Sequence, residues 1–284
     1  MPTYTATLHV QGPWSLATSR RFWEGFSPNA LAKQDLNGGL HTVFRVEHDW
    51  SRAEADVEQH GSDARLTVHG DGDLDAAAEQ VGRFLSLDID GRDWPKVGER
   101  DAVIADAQAR LPGLRPCGFY SPYEAAAWSV LSQRIRIVQA AKLRDNLVRD
   151  HGDGAAFPAP ARLRSADLDL PGRKTEYLQA VADAALDGRL DGAALRTMPA
   201  DAAMAQVQQI KGLGPFAAEL VVIRGANAPD VAPREERRLE AEVAERYGAG
   251  TSVTDVTDGW RPFRTWASVH LRVLREERTR EIAG

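Results

Sequence analysis

Cysteine is nearly absent: Cys117 is the one example in 284 residues. The chain therefore forms no intramolecular disulfide and holds no four-cysteine iron–sulfur or zinc site. Long apolar runs are missing too. No stretch approaches the roughly 20 consecutive apolar residues of a membrane span, and the opening MPTYTATLHV lacks the pattern of a signal peptide. The expectation is a cytoplasmic, nucleoid-associated protein with no membrane partner. An excess of basic residues is absent as well. Lys and Arg number 35 against 41 Asp and Glu, a net charge of −6, which over the whole chain argues against a nucleic-acid partner. The deficit is uneven, however. Residues 1–110 carry 18 acidic and 11 basic side chains, whereas residues 111–284 carry 23 and 24. Any polyanion would meet the neutral C-terminal part, through local arginines and backbone amides rather than a basic stripe. There is no internal repeat, and Phe157–Pro160 is a local loop rather than a low-complexity linker.

What is present is the composition of a soluble globular protein, 43% hydrophobic and 27% charged, long enough for one large or two ordinary domains. Tyr4–Val10, His41–His48 and Ala64–His69 alternate with a strand-like period of two. Trp14–Phe26 reads as a short helix, the stretch Gln34–Gly39 as a turn, and the residues after Asp71-Gly-Asp73 as an amphipathic helix with Leu74, Val81, Phe84 and Leu85 on one face. His9, His41, His48, His60 and His69 show no metal-ligand spacing and read as surface or strand-face residues. Residues 87–91 and 111–116 read as linkers. Beyond them, Ser121-Pro122-Tyr123-Glu124 opens a helix as a capping box, and the remainder reads as helices at Val138–Val148, Lys174–Leu186, Gly192–Arg196, Asp201–Ile210, Pro215–Arg224, Glu235–Tyr247 and Pro262–Arg278. The fold class is mainly α: a small α+β domain over 1–111, then a two-lobed all-helical domain over 112–284.

The stretch Gln206–Tyr247 organises the rest. An amphipathic run ends at Ile210, and Lys211-Gly212-Leu213-Gly214 follows. Pro215 then opens a second apolar run. Glycine permits the positive φ of a tight turn, and proline suits the first helical position, where its missing N–H costs nothing. The segment over about 201–225 thus reads as helix, hairpin, helix, with free N–H groups at a backbone an anion can approach closely. Glu235 and Glu236 sit about 20 residues further on, past Pro233 and at the start of another helix.

SPYEAAAWSVLSQRI (121–135), PGRKTEYL (171–178), IKGLGPFAAELVVIRG (210–225), DVAPREE (230–236) and WRPFRTWASVHL (260–271) occur in this order. Together they resemble the helix-hairpin-helix DNA glycosylase superfamily, in the branch of bacterial 3-methyladenine DNA glycosylase II, over about residues 112–272. The N-terminal part resembles the accessory α+β domain of that family. The resemblance implies a monomeric, monofunctional enzyme of base excision repair. Such an enzyme flips a damaged, alkylated purine out of double-stranded DNA, where the bond is otherwise inaccessible, and hydrolyses its N-glycosidic bond.

Carried over position by position, the resemblance places Glu236 where the family has its catalytic aspartate, with Glu235 the alternative if the loop shifts by one. Lysine is absent just after the hairpin, where the strand-cleaving branch has its nucleophile. Phe216 stands there instead, which implies hydrolysis by water. Gln133 and Arg134 match the loop that wedges into the DNA; Arg134 either fills the gap left by the base or contacts a phosphate. Lys211, Gly212, Leu213, Gly214 and Pro215 match the DNA-binding hairpin. The backbone carbonyls of Gln208, Ile210 and Leu213 match a structural site for a monovalent cation such as Na+ or K+; no other cofactor is implied. Phe22, Trp23, Trp128, Phe216, Leu220 and Arg272 are the expected base pocket, although Leu220 and Arg272 replace aromatic residues of that branch. Arginine there disfavours a cationic base, which an aromatic face would attract. Trp260 and Trp266 read as core. The alternative function is a non-catalytic DNA-binding relative that has lost the aspartate.

Overall fold

Alternation of small apolar with polar side chains builds the N-terminal sheet. The structure, a computed structural model, describes residues 1–25 and 39–280. The expected turn at Gln34–Gly39, apart from Gly39, and the end of the helix expected to reach Phe26 lie outside the described residues. Strand β1 (Thr3–His9) is followed by helix α1 (Leu16–Gly25) and strands β2 (Leu40–Arg45), β3 (Arg52–His60) and β4 (Asp63–Gly70). All pairs are antiparallel, in the order β1-β4-β3-β2. Strand β3, with sequence RAEADVEQH, was not expected. Its buried positions are Ala53, Ala55 and Val57, and alanine carries little strand propensity. Helix α2 (Leu74–Phe84), N-capped by Asp73, covers the sheet with Ala77, Val81 and Phe84.

Two short helices, α3 (Trp94–Arg100) and α4 (Ala102–Arg110), lead into α5 (Pro122–Leu131). Ser121 caps α5 by accepting the Glu124 N–H. The Glu124 carboxylate does not complete a capping box; it turns to Arg144, 3.6 Å away. Every residue of α5 is buried, so it is a central helix rather than one with a single core-facing stripe. Then come α6 (Ile137–His151), α7 (Pro160–Ser165), α8 (Lys174–Leu186), α9 (Gly192–Thr197), α10 (Ala200–Gln208) and α11 (Pro215–Leu220). Helix α11 runs on through a π-turn, Val221–Gly225. Helices α12 (Arg237–Tyr247), α13 (Val253–Val256) and α14 (Arg264–Thr279) close the chain.

Three buried clusters hold these elements together: the sheet with α1 and α2, the helices from α5 to the π-turn, and a third that joins α3 and α4 to α12 and α14. Residues 94–110 thus pack on the C-terminal helices, although the boundary expected at 111 groups them with the sheet. Trp260 and Trp266 are both in this third cluster, fully buried. Arg115 ties the parts together. It is fully buried, donates to the carbonyls of Gln11, Pro13, Ser86 and Ile89, and lies 5.2 Å over the ring of Trp266. Burial pulls its pKa down to about 10, so it stays charged at neutral pH. The four carbonyls supply the solvation it has lost.

Candidate active site

Helical spacing puts one face of α14 (Thr265, Val269, Arg272, Glu276) and one face of α11 with its π-turn (Phe216, Leu220, Ile223) on the same side as α1. Between them lies a cavity of about 380 Å³, inside the ~300–1,000 Å³ range of small-molecule sites. Of the six residues expected to line a base pocket, Phe22, Phe216, Leu220 and Arg272 line this cavity. The structure puts the other two elsewhere. Trp23 is buried against Phe84 and Tyr120 under the sheet, and Trp128 is buried in the helical core. On α1, Thr18, Arg21, Phe22 and Gly25 form the face that lines the cavity, and Trp23, turned about 100° from Phe22, packs against Phe84 instead.

Glu236 lines this cavity as the N-cap residue of α12, where its Oε1 accepts the Arg238 N–H at 3.1 Å. Its Oε2 stands 3.6 Å from Nε of Arg272. A carboxylate at a helix N-terminus is favoured by the partial positive charge there, and the guanidinium adds to this. Glu235 is exposed and does not line the cavity. The residue that sequence reading missed is Glu219. It is 6% exposed, lines the same cavity, and accepts the N–H groups of Arg234 at 2.8 Å and Glu235 at 2.9 Å. Burial raises its pKa, and the two N–H bonds pull it partway back. Nothing in the sequence flags it, because its partners lie 15 and 16 positions away. Arg224 is a second omission. It lines the cavity, donates to the Cys117 carbonyl at 2.5 Å, and lies 5.1 Å over the Phe22 ring. Burial first, then Arg272, lowers its pKa to about 10.

The turn between α10 and α11 sits beside this cavity in the chain, and its two glycines differ. Gly212 has φ +92°, and a Cβ there would lie 2.3 Å from the Tyr177 ring. Gly214 has φ −95° as the N-cap of α11, and a Cβ there would meet nothing within 4 Å. Leu213 is buried, while Phe216 is 52% exposed beside the turn. Lys211 pairs with Glu176, which also binds Arg173 at 2.7 Å. Those two cations hold the Glu176 carboxyl down at about 2.

The segment after α5 is anchored to the turn. Gln133 donates through Nε2 to the Gly212 carbonyl at 2.8 Å. Beneath it Lys174, 6% exposed, donates to the carbonyls of Val130 (2.8 Å) and Gln133 (2.9 Å). Arg134 follows, exposed and at φ +57°. That conformation is rare for a side-chain-bearing residue and typical of functional loops. Of the three carbonyls expected to face a cation, that of Ile210 accepts the Leu213 N–H at 3.1 Å.

No protein-family profile matches the chain. DNA-3-methyladenine glycosylase 2 of Escherichia coli is 29% identical over 190 residues, covering 60% of this chain and 64% of that protein. Compared with solved structures, the chain superimposes on 3-methyladenine DNA glycosylase from Archaeoglobus fulgidus with a TM-score of 0.76 at 17% identity, over 96% and 99% of the two chains. An 8-oxoguanine glycosylase/lyase of Clostridium acetobutylicum, in complex with double-stranded DNA containing cytosine opposite 8-oxoG, gives a TM-score of 0.62 at 15% identity, over 83% and 88%. The chain therefore shares the fold of these solved glycosylase structures. In sequence it is similar to the E. coli DNA-3-methyladenine glycosylase 2, of which it spans just under two thirds. Among the described residues no helix is long and apolar enough to cross a membrane.

Proposed function

We propose that this protein is a monofunctional DNA glycosylase of base excision repair that acts as a monomer on duplex DNA. In this reading the turn at 211–215 receives a phosphate on its backbone N–H groups. The Gln133–Arg134 loop enters the duplex, and a damaged purine turns out of the stack into the cavity. The observation that carries the reading is the carboxylate of Glu236 facing that cavity from a helix N-terminus. As the glycosidic bond breaks, its electrons leave with the base and positive charge develops on the sugar. An ionised carboxylate aimed there stabilises that charge and orients the water, whose hydroxide joins C1′ while its proton ends on the base. No lysine lines the cavity among the described residues, in keeping with hydrolysis by water instead of a covalent imine.

The finer parts belong to the same proposal. The base is an alkylated purine, with Phe22 and Phe216 as the apolar lining. Residues 1–111 form the accessory unit along the chain, with α3 and α4 packed onto α12 and α14 of the glycosylase domain at 112–284. A monovalent cation sits on the carbonyls of Gln208, Ile210 and Leu213. These are hard oxygen donors suited to such an ion, and the Ile210 oxygen keeps a second lone pair after accepting the Leu213 N–H. The test is a panel of duplexes, each with one lesion, assayed for alkali-labile sites. At least one alkylated-purine duplex is expected to be cut. Glu236→Gln is expected to bind it equally well and release base about 10²-fold more slowly or worse, as for loss of a main electrostatic group. Glu235→Gln should change the rate less than about threefold. Wild-type release by Glu236→Gln removes Glu236 from the mechanism, and binding without release on every duplex leaves a DNA-binding protein.

A further inference from the structure

The loop carrying Glu236 needs something to hold it. It runs from Asp230 to the start of α12 and bears side chains that solvent or the cavity would pull in different directions. Arg234 and Glu235 are exposed, and Arg234 reaches out to Asp201 at 3.1 Å. Two consecutive N–H groups of this loop point inward, and both end on the Glu219 carboxylate, one on each oxygen. Glu219 sits on α11, one turn after Phe216. The helix that begins at the hairpin therefore also grips the loop that ends at Glu236. We propose that Glu219 is a positioning residue: by fixing the Arg234 and Glu235 amides to the hairpin helix, it sets the distance and direction from which the Glu236 carboxylate faces the cavity. This rests on the reading of Glu236 as the reacting carboxylate.

Three observations support it. A carboxylate is costly to bury, and one kept at 6% exposure has to be compensated by its hydrogen bonds. Its hydrogen bonds are to the backbone of the acid loop. Glu236 has one methylene more than aspartate, and a longer arm makes its carboxylate more sensitive to where its backbone starts. A displacement of the loop by roughly 1 Å is enough to cost about 10²-fold when geometry is tight.

The charges facing Glu219 from the loop are Arg234, which favours its ionised form, and Glu235, which opposes it. With burial raising its pKa, the two N–H bonds are fully made above that raised value and weaken as the pH falls through it. The test compares Glu219→Gln and Glu236→Gln, in the full-length protein, under single turnover on a duplex that the wild type processes. Gln keeps one acceptor oxygen but turns an NH2 group toward the other amide. Expected for Glu219→Gln are a release rate about tenfold or more below wild type and an unchanged Kd for the duplex. Amide exchange of Arg234 and Glu235 should become at least several-fold faster. Glu219→Asp keeps the charge but is a methylene short, and should fall between Gln and wild type. A slow Glu236→Gln beside a Glu219→Gln of wild-type rate overturns the proposal, whatever the melting temperatures. If neither variant is slowed, the Glu236 reading fails and this proposal fails with it.

Discussion

The two hairpin glycines should respond oppositely to substitution. At Gly212 an alanine meets two costs. A φ of +92° is strained for any residue with a Cβ, at about 1–3 kcal/mol. The Cβ would also lie 2.3 Å from the Tyr177 ring, and that ring cannot simply leave, since Arg173 stacks on it at 5.2 Å. Overpacking of this kind adds about 1–3 kcal/mol. The sum, about 2–6 kcal/mol, corresponds to a drop in Tm of roughly 5–20 °C for a chain of this size. Gly214 has neither problem. Asp is a better N-cap than Gly by a few tenths of a kcal/mol, and its charge suits the helix end. Gly214→Asp is therefore expected to leave Tm unchanged or slightly higher. It would nevertheless put a carboxylate where a phosphate has to approach. Two like charges about 4 Å apart repel by about 1–4 kcal/mol at a protein surface, so duplex affinity should fall by at least about fivefold. Scanning calorimetry and fluorescence anisotropy with a labelled duplex at fixed salt read the two effects separately. A Gly212→Ala protein melting within 2 °C of wild type, on the order of the noise for a sub-kcal/mol change, refutes the steric argument. A Gly214→Asp protein with unchanged affinity refutes the phosphate assignment.

Three further expectations concern separate parts of the molecule. Arg134→Ala should slow processing of a paired lesion more than it weakens binding to a duplex already containing an abasic site; equal losses in both reduce Arg134 to a phosphate contact. Glu176→Gln releases Lys211 and Arg173 beside the hairpin, so duplex affinity at low salt should rise, and the slope of log K against log salt should steepen by about 1–2. An unchanged slope means that those cations do not reach DNA. His270 is fully buried; its Nδ1–H donates to the Trp266 carbonyl at 2.8 Å, and its Nε2 has no partner. Burial pulls its pKa down to about 4. The unfolded chain therefore binds a proton near pH 6.5 that the folded chain refuses. Stability from this group is complete above about pH 6.5 and is lost as pH falls toward 4, by about 3 kcal/mol in all. Urea titrations between about pH 7 and pH 5 should show this slope in the wild type and a flatter one in His270→Phe; parallel slopes contradict it.

Local rules made the helix starts legible. Ser121 caps α5, Asp73 caps α2, and Pro215 opens α11, each within a residue or two of the expected start, because a cap satisfies N–H groups only three positions away. The hairpin was readable for the same reason, since glycine and proline act through backbone geometry; Glu236, with Glu235 as the alternative, came only from the resemblance. Strand β3 was not readable, since its buried alanines carry a period but little strand preference, and only the neighbouring strands β2 and β4 supply what it packs against. Nor could sequence sort the aromatics. Phe22 and Trp23 are equally apolar, and a helix face has no meaning until another element covers it; α2 and Tyr120 claim Trp23, while α11 and α14 leave Phe22 at the cavity. Sequence by itself thus determined the hairpin and most of the longer helices after residue 121, but not α3, α4 or which of the two adjacent carboxylates caps α12. Tertiary structure alone decided that Arg272 from α14 stands beside Glu236, and that Glu219 holds the loop from a helix 15 residues back. Such pairs come from distant segments meeting in space, and their energies depend on burial and distance, which no local pattern encodes.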